Sequence, residues 1–278
     1  MQRYKIKEGK YIAYFQAFTN TYAPVEILRK KYMEAVNHPD VAIISIGTRP
    51  DCLSNEILEL LSEVNMIKPV WVELGLQTIH ENSIDYIRRG YENSVYDKAV
   101  SELKSRGIYV VTHVILGLPN ETEEMMLETV KYVCEKTDGI KLQLLHVIKG
   151  TDLEKAYLQG EFDCMTLDEY VEIIAKCVNI IPQNIAVHRL TGDGDKRTLV
   201  APLWSGNKKL VLNTINKEYG AKLAEYLGIT TATVSHHIET LKKAGLVNEE
   251  KIGTIKYFTA DKEQVNQMFS ALQQFLKA

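Results

Sequence analysis

The sequence has 278 residues, 45% hydrophobic and 25% charged, which suits one large globular domain plus a small one. A formal net charge of -3 argues against nucleic acid being bound over the whole surface, although charge can be segregated onto one part. No apolar stretch is long enough to span a bilayer and the start, MQRYKIKEGKYIAYFQ, has no signal-peptide core, so a cytoplasmic protein with no membrane partner is expected.

Six apolar runs read as strands: YIAYF from Tyr11, VAIISI from Val41, VWVELGL from Val70, YVVTHVILGL from Tyr109, IKLQLLHVI from Ile140 and IAVHRL from Ile185. Most are nearly continuous, the pattern of parallel strands covered on both faces. Helical patterns separate them. Val25, Leu28, Tyr32 and Val36 share one face, as do Tyr96, Ala99, Val100 and Leu103, with Gly107 as a C-terminal stop. Asn120 with Glu123, and Thr166 with Glu169, have the spacing of capping boxes. Glu123 and Glu124 suit the positive end of a helix dipole better than catalysis. This alternation predicts repeated right-handed βαβ units, closing into a barrel or spreading as an open sheet.

The strand ends favour the barrel. Gln16, Thr48, Arg49, Asp51, Glu73, Gln77, His113, His146, His188 and Arg189 lie at or near carboxyl ends, which in a parallel barrel converge on one ligand-binding mouth. The cysteines, Cys52, Cys134, Cys164 and Cys177, form no C-x-x-C pair. Neither a disulfide scaffold nor a metal site is expected from them, and at least the last three read as small buried hydrophobes.

After Trp204 the character changes. Ser205–Lys209 is a polar break. A short helix is expected over 221–227, ending at Gly228, and a second from Thr230 or Thr231 to about Ala244, with Gly245 beyond. A hairpin with Gly253 near its tip and a closing helix complete the pattern of a winged helix-turn-helix. The expected organisation is a barrel segment over 1–204, a connection over 205–216 and the winged helix over 217–278.

The stretches YIAYFQAFTNTYAP, ISIGTRPDCL, VWVELGLQTIHE, HVILGLPNETEEMMLETV, LLHVIKGTDL and HRLTGDG with APLWSGNKKLVLN resemble, in order, a radical SAM protein of the YhcC-like group. The resemblance implies an incomplete α/β barrel, S-adenosylmethionine (SAM) and a 4Fe-4S cluster whose three thiolates leave one iron to chelate SAM, so that reduction yields a 5'-deoxyadenosyl radical. The family's C-x-x-x-C-x-x-C triplet does not occur in these 278 residues, so a cluster is not supported by this chain. By resemblance, Gln16, Asn20 and Thr21 lie where the SAM amino group is met; Thr48, Arg49 and Glu73 face the mouth; Gly117, Leu118 and Pro119 support adenine; His113, His146, His188 and Arg189 are substrate-side candidates for catalysis.

LAEYLGITTATVSHHIETLKKAGLVNEEKIGTIKYF resembles the ArsR-like winged-helix repressors. Val234, Ile238 and Leu241 turn inward, leaving Thr231, Thr233, Ser235, His236 and Lys243 for bases or phosphates, with Lys251 and Lys256 in the hairpin for the backbone. Duplex DNA is the expected partner, beside a small-molecule ligand in the barrel. A homodimer through Val265, Met268, Phe269, Leu272 and Phe275 would match a two-fold DNA site. Three readings stay open: a SAM-dependent enzyme whose radical chemistry is impaired in this chain, a regulator using the barrel remnant as a ligand or dimer platform, and a truncated or fused gene product without independent activity.

Overall fold

All six apolar runs form strands of one parallel sheet in the computed structural model. The structure describes residues 10–16, 18–192, 194–227, 231–252, 255–261, 263–264 and 266–267, leaving aside the side chains of 219–227, 231–234, 237, 250–252 and 255–260. In chain order the elements are β1 (Tyr11–Phe15), α1 (Val25–Val36), β2 (Val41–Thr48), α2 (Asn55–Ile67), β3 (Val70–Gln77), α3 (Glu81–Tyr86), α4 (Asn93–Ser105), β4 (Tyr109–Leu116) and α5 (Glu123–Cys134). There follow β5 (Gly139–Leu144), β6 (Val147–Ile148), α6 (Asp152–Leu158), α7 (Leu167–Ile180), β7 (Ala186–Arg189), β8 (Leu199–Ala201), α8 (Lys208–Leu227), α9 (Thr231–Lys243), β9 (Val247–Ile252) and β10 (Ile255–Ala260).

The sheet order is β1-β2-β3-β4-β5-β7, parallel throughout. It is curled into a half-barrel. The Tyr14 hydroxyl on β1 and Lys141 Nζ on β5 are 3.2 Å apart, whereas four strand spacings would hold those strands about 19 Å apart in a flat sheet, beyond the reach of the two side chains.

The convex face is the core. Ile44, Ile46, Val72, Leu74, Val110, Val114, Leu116 and Leu142 are fully buried, as are Tyr32 and Val36 of α1, Tyr96 and Leu103 of α4, and Val130 and Val133 of α5. The strands alternate instead of being apolar on both faces. Tyr14, Ser45, Glu73, His113, Lys141 and Gln143 meet on the concave side.

Helix starts follow their caps. Thr166 and Glu169 form a full capping box on α7. Asn120 does not cap α5: it sits at φ 66, within the turn closed by Glu121 N–H to Leu118 C=O at 3.1 Å. Thr122 takes the cap, its hydroxyl accepting from Met125 N–H at 3.3 Å. The fifth apolar run divides after Leu144, and Val147–Ile148 pairs antiparallel with β8.

The chain folds as two compact units, residues 1–208 and 209–278. The helix expected over 221–227 instead begins at Lys208 and runs unbroken to Leu227, since nothing between Leu210 and Tyr226 other than Gly220 opposes a helix. In the second unit α9 is followed by Gly245 at φ 72 and by the antiparallel hairpin of β9 and β10. Gly253, Val265 and residues 268–278 lie outside the described residues. No described helix is long and apolar enough to cross a membrane.

Candidate functional site

One carboxylate on β3 gathers a side chain from each of four other strands, β1, β2, β4 and β5. Glu73 on β3 accepts at Oε2 from the Tyr14 hydroxyl at 2.6 Å, from His113 Nε2 at 2.8 Å and from Lys141 Nζ at 2.6 Å, and at Oε1 from Ser45 Oγ at 2.8 Å. The side chains of Glu73 and Lys141 are 3% and 8% exposed, which makes this a desolvated ion pair. Burial alone would raise the Glu73 carboxyl, but hydrogen bonds from His113, Lys141 and Tyr14 outweigh it and keep Glu73 ionised well below the usual carboxylate range.

That fixes the protons of its neighbours. Burial pushes the His113 imidazole down, so it is neutral. Its Nε2 then carries the hydrogen donated to Glu73, and Nδ1 accepts from Gln143 Nε2 at 2.9 Å. Burial, and then the hydrogen bond to Glu73, push the Tyr14 phenol up, so it stays protonated.

The histidines give the half-barrel a pH signature. Burial lowers both His113 and His188, so near their ordinary value of 6.5 the unfolded chain takes up protons that the folded chain refuses. Stability is therefore expected to fall on acidification below that value, by up to about 1.4 kcal/mol per pH unit for each histidine. Glu73 adds to the loss from its ordinary value of 4.5 downward. Urea titrations between pH 8 and 4 check this; the slope should halve in His188→Phe between pH 6.5 and 5.

Above the belt, at the carboxyl ends, lies a polar cavity of about 430 Å³ lined by Tyr14, Gln16, Arg49, Glu73, Gln77 and His113 among others. A more apolar cavity of about 650 Å³, lined by Ile115, Leu118, Pro119, Leu145, Leu153 and Ala156, shares Ile87, Arg88 and Ile115 with it. Both have the size of small-molecule sites.

Gln77 is the most constrained residue in the polar cavity. The β3–β4 register shifts between Gly75 and Gln77, a bulge that re-aims the side chain. Leu76 C=O accepts from Thr78 N–H at 2.9 Å around Gln77 at φ 70, the rare positive-φ form of a three-residue turn. Gly75 leaves space for the Gln77 amide: a Cβ there would come within 2.8 Å of Nε2. Arg89, 5% exposed, clamps the turn through Leu76 C=O at 3.0 Å and Thr78 C=O at 2.8 Å. Gln77 Oε1 is buried and accepts no hydrogen bond. An unpaired buried acceptor on strained backbone calls for a partner that these residues do not supply.

The residues expected from sequence divide. Gln16, Thr48, Arg49 and Glu73 line the polar cavity, and Leu118 and Pro119 the apolar one. Gly117, at φ 81, turns the chain where a Cβ would meet Met165 Sδ at 3.0 Å. Arg49 is held by Asp51 through bonds of 2.9 and 2.7 Å and lies over the Tyr91 ring. Asn20 spends its amide on the carbonyls of Phe15, Phe18 and Gly47. Thr21 bonds Thr48 Oγ1 at 2.5 Å and Cys52 C=O at 2.7 Å. Asn20, Thr21 and Thr48 thus fasten the loop after β1.

His113 has both ring nitrogens engaged. His146 packs against Gly192 and Gly194. His188 lies among Trp71, Tyr109 and Gly139 at the amino ends of β3, β4 and β5, below the belt. Arg189 pairs in register with Lys141. Gln77 was expected only as one of the polar groups at the strand ends, and Tyr14, Ser45, Arg89, Lys141 and Gln143 were not singled out from sequence as site residues. Their signal is the period of two along each strand, which places Tyr14 with Gln16, Glu73 with Gly75 and Lys141 with Gln143 on one face.

The cysteines do not assemble. Cys134 and Cys177 are buried on α5 and α7, Cys52 follows β2, and Cys164 lies between α6 and α7. Burial pushes all four thiols up, Cys134 to about 11 and Cys177 to about 12, away from the thiolate form that binds metal. Among the described residues no group of three or more His, Cys, Asp or Glu could hold a metal ion.

In the second unit Ser235, His236 and Lys243 are exposed on α9. Lys242 pairs with Glu239 at 3.1 Å and with Glu249. The side chains of Thr231, Thr233, Val234, Lys251 and Lys256 lie outside the described residues.

Residues 1–133 match the Radical SAM superfamily, 137–220 the Radical_SAM C-terminal domain, and 212–249 the arsR family of bacterial regulatory proteins. The last two overlap within α8. The chain is 47% identical over 215 residues to YtqA of Bacillus subtilis, covering 77% of this chain and 67% of that protein. It is 37% identical over 201 residues to YhcC of Escherichia coli K12, covering 72% and 65%. It thus spans about two thirds of the length of these relatives. The archaeal Methanocaldococcus infernus Elp3 with an N-terminal deletion superposes with a TM-score of 0.63 at 22% identity, over 75% of this chain and 54% of that one, a likeness of fold.

Proposed function

The chain belongs to the radical SAM superfamily, and from that premise we propose that the adjoining cavities at the carboxyl ends of its half-barrel bind SAM. The observation that carries this reading is Gln77: a buried, unpaired acceptor held on a strained turn at the cavity. It would accept from a hydroxyl or ammonium of the ligand. Ile115, Leu118 and Leu145 would take the adenine against apolar surface, and Gln16 and Arg49 would face the polar end. Bound SAM supplies an activated sulfonium. The four cysteines do not fit a 4Fe-4S cluster, so no electron-transfer step is assigned to this chain. Equilibrium dialysis of the full chain against SAM, S-adenosylhomocysteine and methionine tests the reading; binding of the first two at one site per chain, and not of methionine alone, is expected.

A second activity is favoured by the match to the arsR family and by the polar exposed face of α9. Ser235, His236 and Lys243, with Thr231, Thr233, Lys251 and Lys256, would contact duplex DNA, and a two-fold dimer would double that surface. A fluorescein-labelled duplex should gain anisotropy with the full chain, with affinity falling as salt rises. Lys243→Gln should reduce the slope of log K against log salt by about 0.9; an unchanged slope would remove Lys243 from the phosphate contacts. A cytoplasmic setting, where thiols stay reduced, suits the four free cysteines.

A further inference from the structure

Arg189 is the exception among the described arginines. Arg29, Arg49, Arg88, Arg106 and Arg197 each pair with a carboxylate, and Arg89 is spent on carbonyls and Asn93. Arg189 is half-buried and has neither an ion pair nor a hydrogen bond from its side chain among the described residues. It stands on β7, in register with Lys141 on β5. Its charge acts on Tyr14, His113 and Lys141. Lys141 reaches Glu73 on the concave face, and its register partner Arg189 stands on that same face of the sheet.

The charge balance there is uneven. Lys141 and Arg189 are two cations facing the single carboxylate of Glu73, and that carboxylate already accepts four hydrogen bonds. His113 is neutral and offers no compensation. A half-buried guanidinium keeps five donors in need of acceptors, and its fork matches an oxyanion in two-point contact.

We propose that Arg189, with the Lys141 ammonium beside it, forms an oxyanion subsite inside the half-barrel that takes the carboxylate or phosphate of a small substrate. It rests on the reading of the concave face as a ligand site. The nucleoside would occupy the carboxyl-end cavities above, while the subsite lies across the belt on the β5–β7 side. The ligand class follows from the unmet charge: a monoanion would neutralise the interior without displacing Glu73.

The test uses the full chain labelled with 15N-arginine, observing the Nε–Hε resonances. Inorganic phosphate and sodium acetate are titrated separately at constant ionic strength. The Arg189 resonance, identified by its loss in Arg189→Gln, should move and saturate with at least one of the two; acetate alone assigns a carboxylate, phosphate alone a phosphate. Arg189→Lys, which keeps the charge and loses the fork, should weaken that binding about tenfold. A shift that grows without saturating, or one matched at surface-exposed Arg197, overturns the subsite. Binding of 5'-methylthioadenosine, which carries no oxyanion, is measured on the same sample. Its loss with the anion response intact defeats the nucleoside reading alone, and the reverse defeats the subsite alone.

Discussion

Glu73→Gln is expected to lower the unfolding free energy of the half-barrel by about 3–5 kcal/mol, the cost of leaving a buried charge without its partner. The substitution keeps the volume and removes the charge. Lys141 Nζ, 2.6 Å from the carboxylate in the wild type, loses its only counter-ion among the described residues. The new amide hydrogens would also confront donors, since Tyr14, Ser45, His113 and Lys141 all present hydrogens to this group. Both tryptophans, Trp71 and Trp204, lie within residues 1–208, so their fluorescence during urea unfolding reports this unit alone. Adding Lys141→Met should recover part of the loss, because removing both charges is far cheaper than removing one. A single-variant change within about 0.5 kcal/mol, the range of ordinary surface substitutions, would mean that the belt does not hold the half-barrel together.

Much of the scaffold was legible in the sequence. Burial against helices on the convex face leaves long apolar runs, and these located all six strands of the sheet. Thr166 and Glu169 announced α7 because a capping box is a local device. The belt was less visible because it is made by register. Ser45 between Ile44 and Ile46 acquires meaning only when β2 is set beside β3, and Lys141 between Ile140 and Leu142 only when β1 and β5, four places apart, curl together. Gln77 was placed at the mouth by its position at the end of the third strand, but not its conformation: a positive φ at glutamine and an unpaired Oε1 follow from the bulge and from the Arg89 clamp, neither of which has a sequence signature. Asn120 misled because Thr122, two residues on, serves as the cap once Leu118 and Pro119 have made their turn. Asn20, Thr21 and Thr48 stand at strand ends as a ligand site requires, and the structure uses them to tie down a loop.

Gln77→Met is the more discriminating variant, because it should move stability and binding in opposite directions. Methionine has nearly the volume of glutamine and the same tolerance of the strained turn, and it carries no acceptor that needs a partner. The unliganded protein should therefore be unchanged or stabilised by up to about 1–3 kcal/mol, the penalty now borne by the orphan Oε1. A ligand donor that meets this atom would lose its partner, and affinity should fall by about tenfold to hundredfold. A purely structural glutamine would not separate the two effects, since its loss would lower stability and leave any binding alone. This is the trade expected where strain is kept for function.

Calorimetric titration of S-adenosylhomocysteine into the full-length wild type and Gln77→Met, side by side, tests the binding site most directly. One saturable site per chain in the wild type, weakened at least about tenfold in a variant of equal or greater stability, is the predicted result. Absence of binding to the wild type, or equal affinity in the two proteins, would contradict it.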